Sequence, residues 1–380
     1  MYRKPVVSAD SHFLEPPTLW TERLDRKYRD RAPHTFVDEN GLVMLTGEDM
    51  DPQPVSGWCA AGRASEDLKK INSLGWDAAP KEVWTPADRL KGQDRDGVLA
   101  EILYTSFGMV AMNIRDVELA MACLRVFNDY ASEFCSYDPK RLIGIGAAVP
   151  DDVEAAVKEI ERIRKLGLRG VMLPLSLAEG ENYGDPKYHP IWAAAQDLGL
   201  VISFHAGTSR AGINPKEHEW PRLYAGVPYL MQRTLTDLIF GGVLDRFPGL
   251  RFVSVENDVS WLPHFAYRMD HFAERFVAVA SVKLKMTPTE YIKRHFYSTF
   301  QFEGPGIDMT RRILGSETIM WGNDFPHMDS TWPNSPELIQ TTLGDIMPEE
   351  DVENIVFNNV VNLYGLEIAP RPQEGAFARA

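Results

Sequence analysis

Short apolar runs recur along the chain, and most are separated by stretches whose apolar residues return at helical spacing. Eight of these runs predict β-strands: Pro5–Ala9, Leu99–Tyr104, Leu142–Val149, Gly170–Leu175, Leu200–Phe204, Arg251–Val255, Phe296–Phe302 and Thr318–Trp321. They read as continuous apolar runs more than as alternation. That is the pattern of strands covered on both faces, as in a parallel sheet.

The clearest unit is PDDVEAAVKEIERIRKLGLRGVMLPL. Asp151 or Asp152 can cap a helix, with Glu154 close to capping-box spacing. Val153, Val157, Ile160, Ile163 and Leu166 form one apolar stripe, Gly167 ends the helix, and GVMLPL follows as a strand. YHPIWAAAQDLGLVISFHAG repeats the same helix–Gly–strand order. Eight strands with intervening helices predict an α/β fold, a (β/α)8 TIM barrel rather than an open doubly wound sheet.

Two segments depart from the alternation. Residues 16–85 separate the first two strands and are too long for a plain connection, so they predict an insertion over the barrel mouth. Residues 208–228 form a second long connection. Residues 1–370 are expected to make one domain, with the Pro/Ala/Gly-rich 371–380 as a tail that is frayed or lies on a neighbouring subunit.

Composition adds exclusions. Of 380 residues, 44% are hydrophobic and 25% charged, an ordinary globular balance. A net charge of −14 argues against nucleic acid and anionic membrane surfaces as partners, without saying what the substrate is; a small-molecule substrate is the expectation. Cys59, Cys123 and Cys135 show no paired spacing and read as reduced packing thiols. MYRKPVV lacks an apolar region of signal-peptide length, and no apolar run approaches a membrane span, so a cytoplasmic location is expected.

In a barrel of this type the chemistry sits at the carboxyl ends of the strands. Asp10 and His12 follow the first predicted strand, His205 ends the fifth, Glu256 the sixth and Asp324 the eighth, with His327 one helical turn beyond. Period-two geometry puts Asp10 and His12 on one side of an extended segment. Taken singly, each has an ordinary account: a turn aspartate, a satisfied core histidine, an Asx turn in GNDFP. Glu256 directly after FVSV is harder to set aside, because a buried charge needs a partner or a cation. Jointly the set predicts a metal site. Its many oxygen ligands, with Glu15 three residues past His12, suit Mn or Fe better than a thiolate-type zinc site, and they suffice for two ions bridged by Glu256. His34, His189, His218, His271 and His295 read as surface or packing residues; His264 is a candidate support for Glu256. Trp58, Trp76, Trp220, Tyr224 and Trp332 are candidates for an aromatic pocket wall.

The stretches SADSHFLEPPTLW, RLKGQDRDGVLAEILY, YDPKRLIGIGAAVPDDVEAAV, FHAG, WLPHFAYRMDH and MWGNDFPHMDSTWPNS together resemble the amidohydrolase superfamily. The resemblance is to its family 2 branch, which includes the aminocarboxymuconate-semialdehyde decarboxylase-like proteins. It implies a metal-bearing TIM barrel, with zinc as the common occupant. The family's first-strand HxH, ExH or DxH falls on Asp10 and His12, its fifth-strand His on His205, and its eighth-strand Asp on Asp324. The decarboxylases carry a catalytic His after strand six, where this chain has Glu256. Glu15 and His327 are further candidates for ligand or base.

The leading expectation is therefore a metal-dependent hydrolase, with Asp324 or Glu256 taking the proton of a metal-activated water. The alternatives are a non-oxidative decarboxylase of an aromatic or unsaturated acid, a dinuclear Fe/Mn redox enzyme, or a non-catalytic subunit paired with an active paralogue. A homo-oligomer, or a hetero-oligomer with such a paralogue, is expected.

Overall fold

Continuous apolar runs become parallel strands here because helices cover their outer faces. The computed structural model describes residues 1–63, 68–211, 220–276 and 283–368. Its main sheet has eight parallel strands: β1 (Val7–His12), β5 (Ala100–Tyr104), β6 (Leu142–Ala147), β7 (Gly170–Ser176), β8 (Val201–Ser209), β9 (Phe252–Val255), β10 (Phe296–Phe300) and β11 (Ile319–Trp321). They neighbour one another in that order, so each expected strand lies in the sheet and the fold is a (β/α)8 barrel.

The seam of the barrel, where β11 returns to β1, is closed by the residues just past β11. Asp324 N donates to Asp10 O at 2.9 Å, and His12 N donates to Phe325 O at 2.7 Å. Asn323 N donates to Ser8 Oγ at 2.9 Å. Gly322 permits this approach. A Cβ at that position would stand 2.4 Å from the Cβ of Asp10.

The helix Val153–Lys165 is capped by Asp152, whose side chain accepts from Ala155 N at 3.0 Å; Glu154 takes no part in the cap. Ile160 and Ile163 of the expected stripe are buried against the barrel, while Val153, Val157 and Leu166 are half-buried at its edges. Gly146 on β6 leaves room for Ile163, whose side chain would lie within 3 Å of an added Cβ. All three cysteines are buried and unpaired.

The long segment after β1 builds a small antiparallel sheet of its own, from β2 (His34–Val37), β3 (Val43–Gly47) and β4 (Met50–Pro54). Short helical turns follow. Ala61 N donates to Pro326 O at 3.0 Å and Met328 N to Gly57 O at 3.3 Å, which fastens this segment to the loop past β11. Residues 212–219 of the second long connection, His218 among them, lie outside the described residues, as does the tail 371–380. Among the described residues no helix is long and apolar enough to cross a membrane.

Candidate metal centre

Strand pleating sets the first two ligands. Asp10 and His12 project from the same side of β1, and neither is exposed. Between and before them, Ser11 and Ser8 turn the other way and donate to Asn323 Oδ1 at 2.7 and 3.2 Å. His205, on β8, and Asp324, just past β11, are also fully buried. Asp324 and Glu256 both adopt left-handed backbone, with φ of 54° and 58°. Such conformations cost on the order of 1–3 kcal/mol and cluster at functional sites.

Three ligand atoms, from Asp10, His12 and His205, converge, and Asp324 approaches them through His12. His12 Nε2 is 3.1 Å from His205 Nε2, 3.6 Å from Asp10 Oδ1 and 3.4 Å from Asp324 Oδ1. His205 Nε2 is 3.7 Å from the same Asp10 oxygen. Two atoms bound tetrahedrally to one ion at about 2.1 Å stand ~3.4 Å apart, so the spacing fits a shared cation.

The proton inventory leads to the same conclusion. His12 Nδ1 faces Thr105 O at 2.9 Å, and His205 Nδ1 faces Ala206 O at 2.7 Å. A carbonyl accepts only, so each ring carries its proton on Nδ1 and turns a lone pair on Nε2 toward the other. Asp10 Oδ1 and Asp324 Oδ2 are buried with no hydrogen-bond partner, while Asp324 Oδ1 meets only imidazole nitrogens, of His12 and His327. Burying such groups is costly unless something positive sits among them.

The local acidities express the same shortage of positive charge. Burial, then the Asp10 charge, pushes the Asp324 carboxyl well above the usual carboxylate range. Burial acts to lower the His205 pKa, yet the Asp10 and Glu256 carboxylates outweigh it and raise it to about 9. Burial, followed by neighbouring His327 and His205, holds His12 well below the ordinary histidine range, a ring ready to act as a neutral ligand. The donor set fits a divalent metal ion, with Asp10, His12 and His205 converging and Asp324 beside His12.

The remaining candidates take different places. Glu256 belongs to neither group of convergent ligand atoms: its Oε2 is 3.6 Å from His205 Nδ1, the nitrogen facing away from His12. Its side chain keeps 30% of its surface open, and its backbone N donates to Thr299 Oγ1 at 2.9 Å. Burial at the base of the mouth, then the Asp324 charge, pushes its pKa up to about 8. His327 Nδ1 stands 2.9 Å from Asp324 Oδ1, and its Nε2 is 2.9 Å from Ser106 Oγ. Its ring lies 4.0 Å from that of His12, centroid to centroid, and burial lowers its pKa to about 4. His12, Asp324 and His327 form a second group whose ligand atoms converge.

Glu15 is not brought to the cluster. Its carboxylate accepts from Thr105 Oγ1, from Ser106 N at 3.2 Å and from Phe107 N at 2.9 Å, at the start of the helix Phe107–Asn113. It serves the buried amides of a helix N-terminus that have no partner within the helix, which attract a carboxylate. His264 is exposed on the helix Leu262–Arg275 and gives Glu256 no support. His295 is a packing residue, buried with Nδ1 on Leu250 O.

Of the aromatic candidates, Trp58 reaches the site, edge-on to His327 at 5.7 Å and to Phe107 at 6.2 Å. Trp76 stands behind it on Phe107, Trp332 is buried on Phe325, and Tyr224 is exposed with its hydroxyl on Asp329 Oδ2. The side chain of Trp220 lies outside the described residues. Sequence reasoning passed over Tyr104, Thr105 and Ser106, which support His12, His205, Glu15 and His327 from the end of β5. The strand-end rule that found Asp10 and Asp324 would have found them too.

This barrel and this centre define an enzyme class, and the chain belongs to the amidohydrolase family, whose model matches residues 20–366. It is 25% identical over 276 residues to the 2-amino-3-carboxymuconate-6-semialdehyde decarboxylase of Dictyostelium discoideum, spanning 72% of this chain and 71% of that protein. It is 26% identical over 273 residues to the gamma-resorcylate decarboxylase of Rhodococcus jostii (strain RHA1), spanning 66% and 80%. Among solved structures, an amidohydrolase from Mycobacterium avium subsp. paratuberculosis K-10 superposes with a TM-score of 0.78 at 19% identity, over 96% of this chain and 100% of that one. A dihydroxybenzoic acid decarboxylase from Polaromonas sp. JS666, solved with manganese and 2-nitroresorcinol, gives 0.66 at 19% identity, over 97% and 98%.

Proposed function

We propose that the protein is a metal-dependent non-oxidative decarboxylase of an aromatic or unsaturated carboxylic acid. The observation that carries this reading is the match to decarboxylases over 66–72% of the chain. It reverses the order expected from sequence, where the absence of a histidine after the sixth barrel strand placed hydrolysis first. A carboxylic acid can hold and deliver a proton as an imidazole does, and Glu256, partly open beside His205, is the group proposed for that role.

Held by Asp10, His12, His205 and Asp324, a manganese-type ion would supply Lewis acidity for the substrate's carboxylate and a neighbouring oxygen. The chain's own residues supply the rest. Thr105 O and Ala206 O fix the tautomers of His12 and His205. Glu256, with its carboxyl open to the mouth, faces the substrate. As the bond to the carboxyl carbon breaks, carbon dioxide leaves and the electron pair stays on the substrate carbon. Glu256 gives that carbon its proton, and water then restores the acid. Trp58, backed by buried Phe107, supplies aromatic surface beside His327 for a planar substrate.

One contact favours a second reading. His327 Nδ1, 2.9 Å from Asp324 Oδ1, could share the proton of an attacking water and support hydrolysis. Manganese-loaded protein with a panel of hydroxybenzoates in D2O separates the two. Decarboxylation releases CO2 and leaves one deuterium at the former carboxyl position. No CO2 from any acid, together with turnover of esters, amides or lactones, would establish hydrolysis instead.

A further inference from the structure

The helix Pro86–Asp96 is anomalous. Its barrel-facing stripe is Arg89, Gly92, Gln93 and Asp96, the spacing at which a packed helix normally presents aliphatic residues. Arg89 and Glu101 are 1% and 2% exposed, and they form an ion pair at 2.6 Å. A buried pair of this kind is weak evidence for stability, since hydrophobic replacements are often neutral or better. Its retention asks for another reason.

The guanidinium supplies one. Arg89 Nη1 donates to His12 O at 2.8 Å and Nη2 donates to Phe325 O at 3.1 Å. Those carbonyls belong to a metal ligand and to the residue after another, on opposite sides of the barrel seam. His12 N also donates to Phe325 O, so the arginine completes a three-way junction. The guanidinium face lies 4.4 Å from the centre of the Phe325 ring. Glu101 Oε2 orients the fork, and Gln93 Nε2 donates to the same oxygen at 2.8 Å.

We propose that Arg89 is a positioning residue for the metal centre: by binding the carbonyls of His12 and Phe325 across the seam, it fixes the spacing of His12 and Asp324. It touches neither substrate nor ligand side chain. Lysine cannot replace it, because a single ammonium cannot span a carboxylate and two carbonyls in one plane. This rests on the four-residue centre and not on which reaction the centre performs.

The test is a titration of the full-length protein with Mn(II), followed by the EPR signal of free Mn(II), with melting temperatures taken in EDTA. Arg89→Lys is compared with wild type and with Ile160→Ala, which destabilises the fold far from the seam. Weaker Mn(II) binding in Arg89→Lys, by about 10–100-fold, is expected, with unchanged affinity in Ile160→Ala. A second variant guards against misfolding: Arg89→Met with Glu101→Leu removes both buried charges together and should fold while still losing Mn(II) affinity. Wild-type affinity in both Arg89 variants overturns the proposal, as does an equal loss in Ile160→Ala. Failure of wild type itself to bind Mn(II) overturns the metal centre as well, which keeps the two failures distinguishable.

Discussion

The Nε2 atoms of His12 and His205 stand 3.1 Å apart, and each ring commits its Nδ1 proton to a backbone carbonyl. Two lone pairs so placed, with Asp10 Oδ1 and Asp324 Oδ2 buried without partners nearby, fit a cation. His205→Ala and Asp324→Asn should therefore each lower the metal content per chain toward zero and abolish turnover. The fold should persist, since both residues lie at strand ends. Metal analysis beside circular dichroism checks this; full metal occupancy in either variant would remove that residue from the ligand set.

An ion that binds only the native state raises stability by mass action. Manganese at one hundred times its dissociation constant adds about 2.7 kcal/mol. Wild type should melt higher with Mn(II) than in EDTA, and His205→Ala should melt the same in both. Calorimetric scans at matched ionic strength decide it. An equal rise in the variant would locate the stabilising ion elsewhere.

Glu256 lies beside His205 but outside the groups of convergent ligand atoms. Glu256→Gln should therefore leave metal content intact while turnover falls by roughly 10²–10⁴-fold, the range for losing acid–base help. Loss of metal instead would make Glu256 a ligand. Unchanged turnover would reduce it to a hydrogen-bonding role.

These residues also show where sequence reasoning reaches. The eight strands were legible because buried parallel strands are continuous apolar runs, and the strand-end rule points to Asp10, His12 and His205, whose ligand atoms converge, and to Asp324 beside His12. Glu15 was misjudged for a local reason. Spacing along an extended segment brings it near His12, but the chain turns after β1, and the amides of the helix Phe107–Asn113 take its carboxylate. That helix begins with FGMV, which offers no capping signature from which to foresee the contact. Arg89 could have been noticed: a polar stripe at core-facing spacing signals a buried network, but its partners are 77 and 236 residues away in sequence.

Ile160 provides a control for the barrel as scaffold. It is fully buried between its helix and the sheet, remote from the mouth. Ile160→Ala should cost about 2–5 kcal/mol by removing buried methylenes and leaving a cavity. Urea unfolding measures the loss, and the metal content of the folded fraction should match wild type. A coupled loss of metal would mean that the site responds to packing across the whole barrel.

The last prediction concerns Gly322, where fold and site depend on the same atom being absent. An alanine Cβ there would meet Asp10 Cβ at 2.4 Å and the Asp10 backbone N at 3.0 Å. Backbone cannot move aside as a flexible side chain can, because β1 is held on its other edge by β5. The seam must open, which lengthens the Asp324 N to Asp10 O bond and separates the two carboxylates that meet His12. Overpacking of this kind costs about 1–3 kcal/mol. Gly322→Ala should therefore lose stability and weaken Mn(II) binding together. Gly167→Ala is the comparison: its φ of 82° makes alanine strained, but no atom lies within 4 Å of the added Cβ. It should lose stability alone. Thermal melts in EDTA and Mn(II) titration of both variants provide the reading. If Gly322→Ala binds Mn(II) as wild type does, the seam does not set the ligand spacing, and the ligands are held by their own strands.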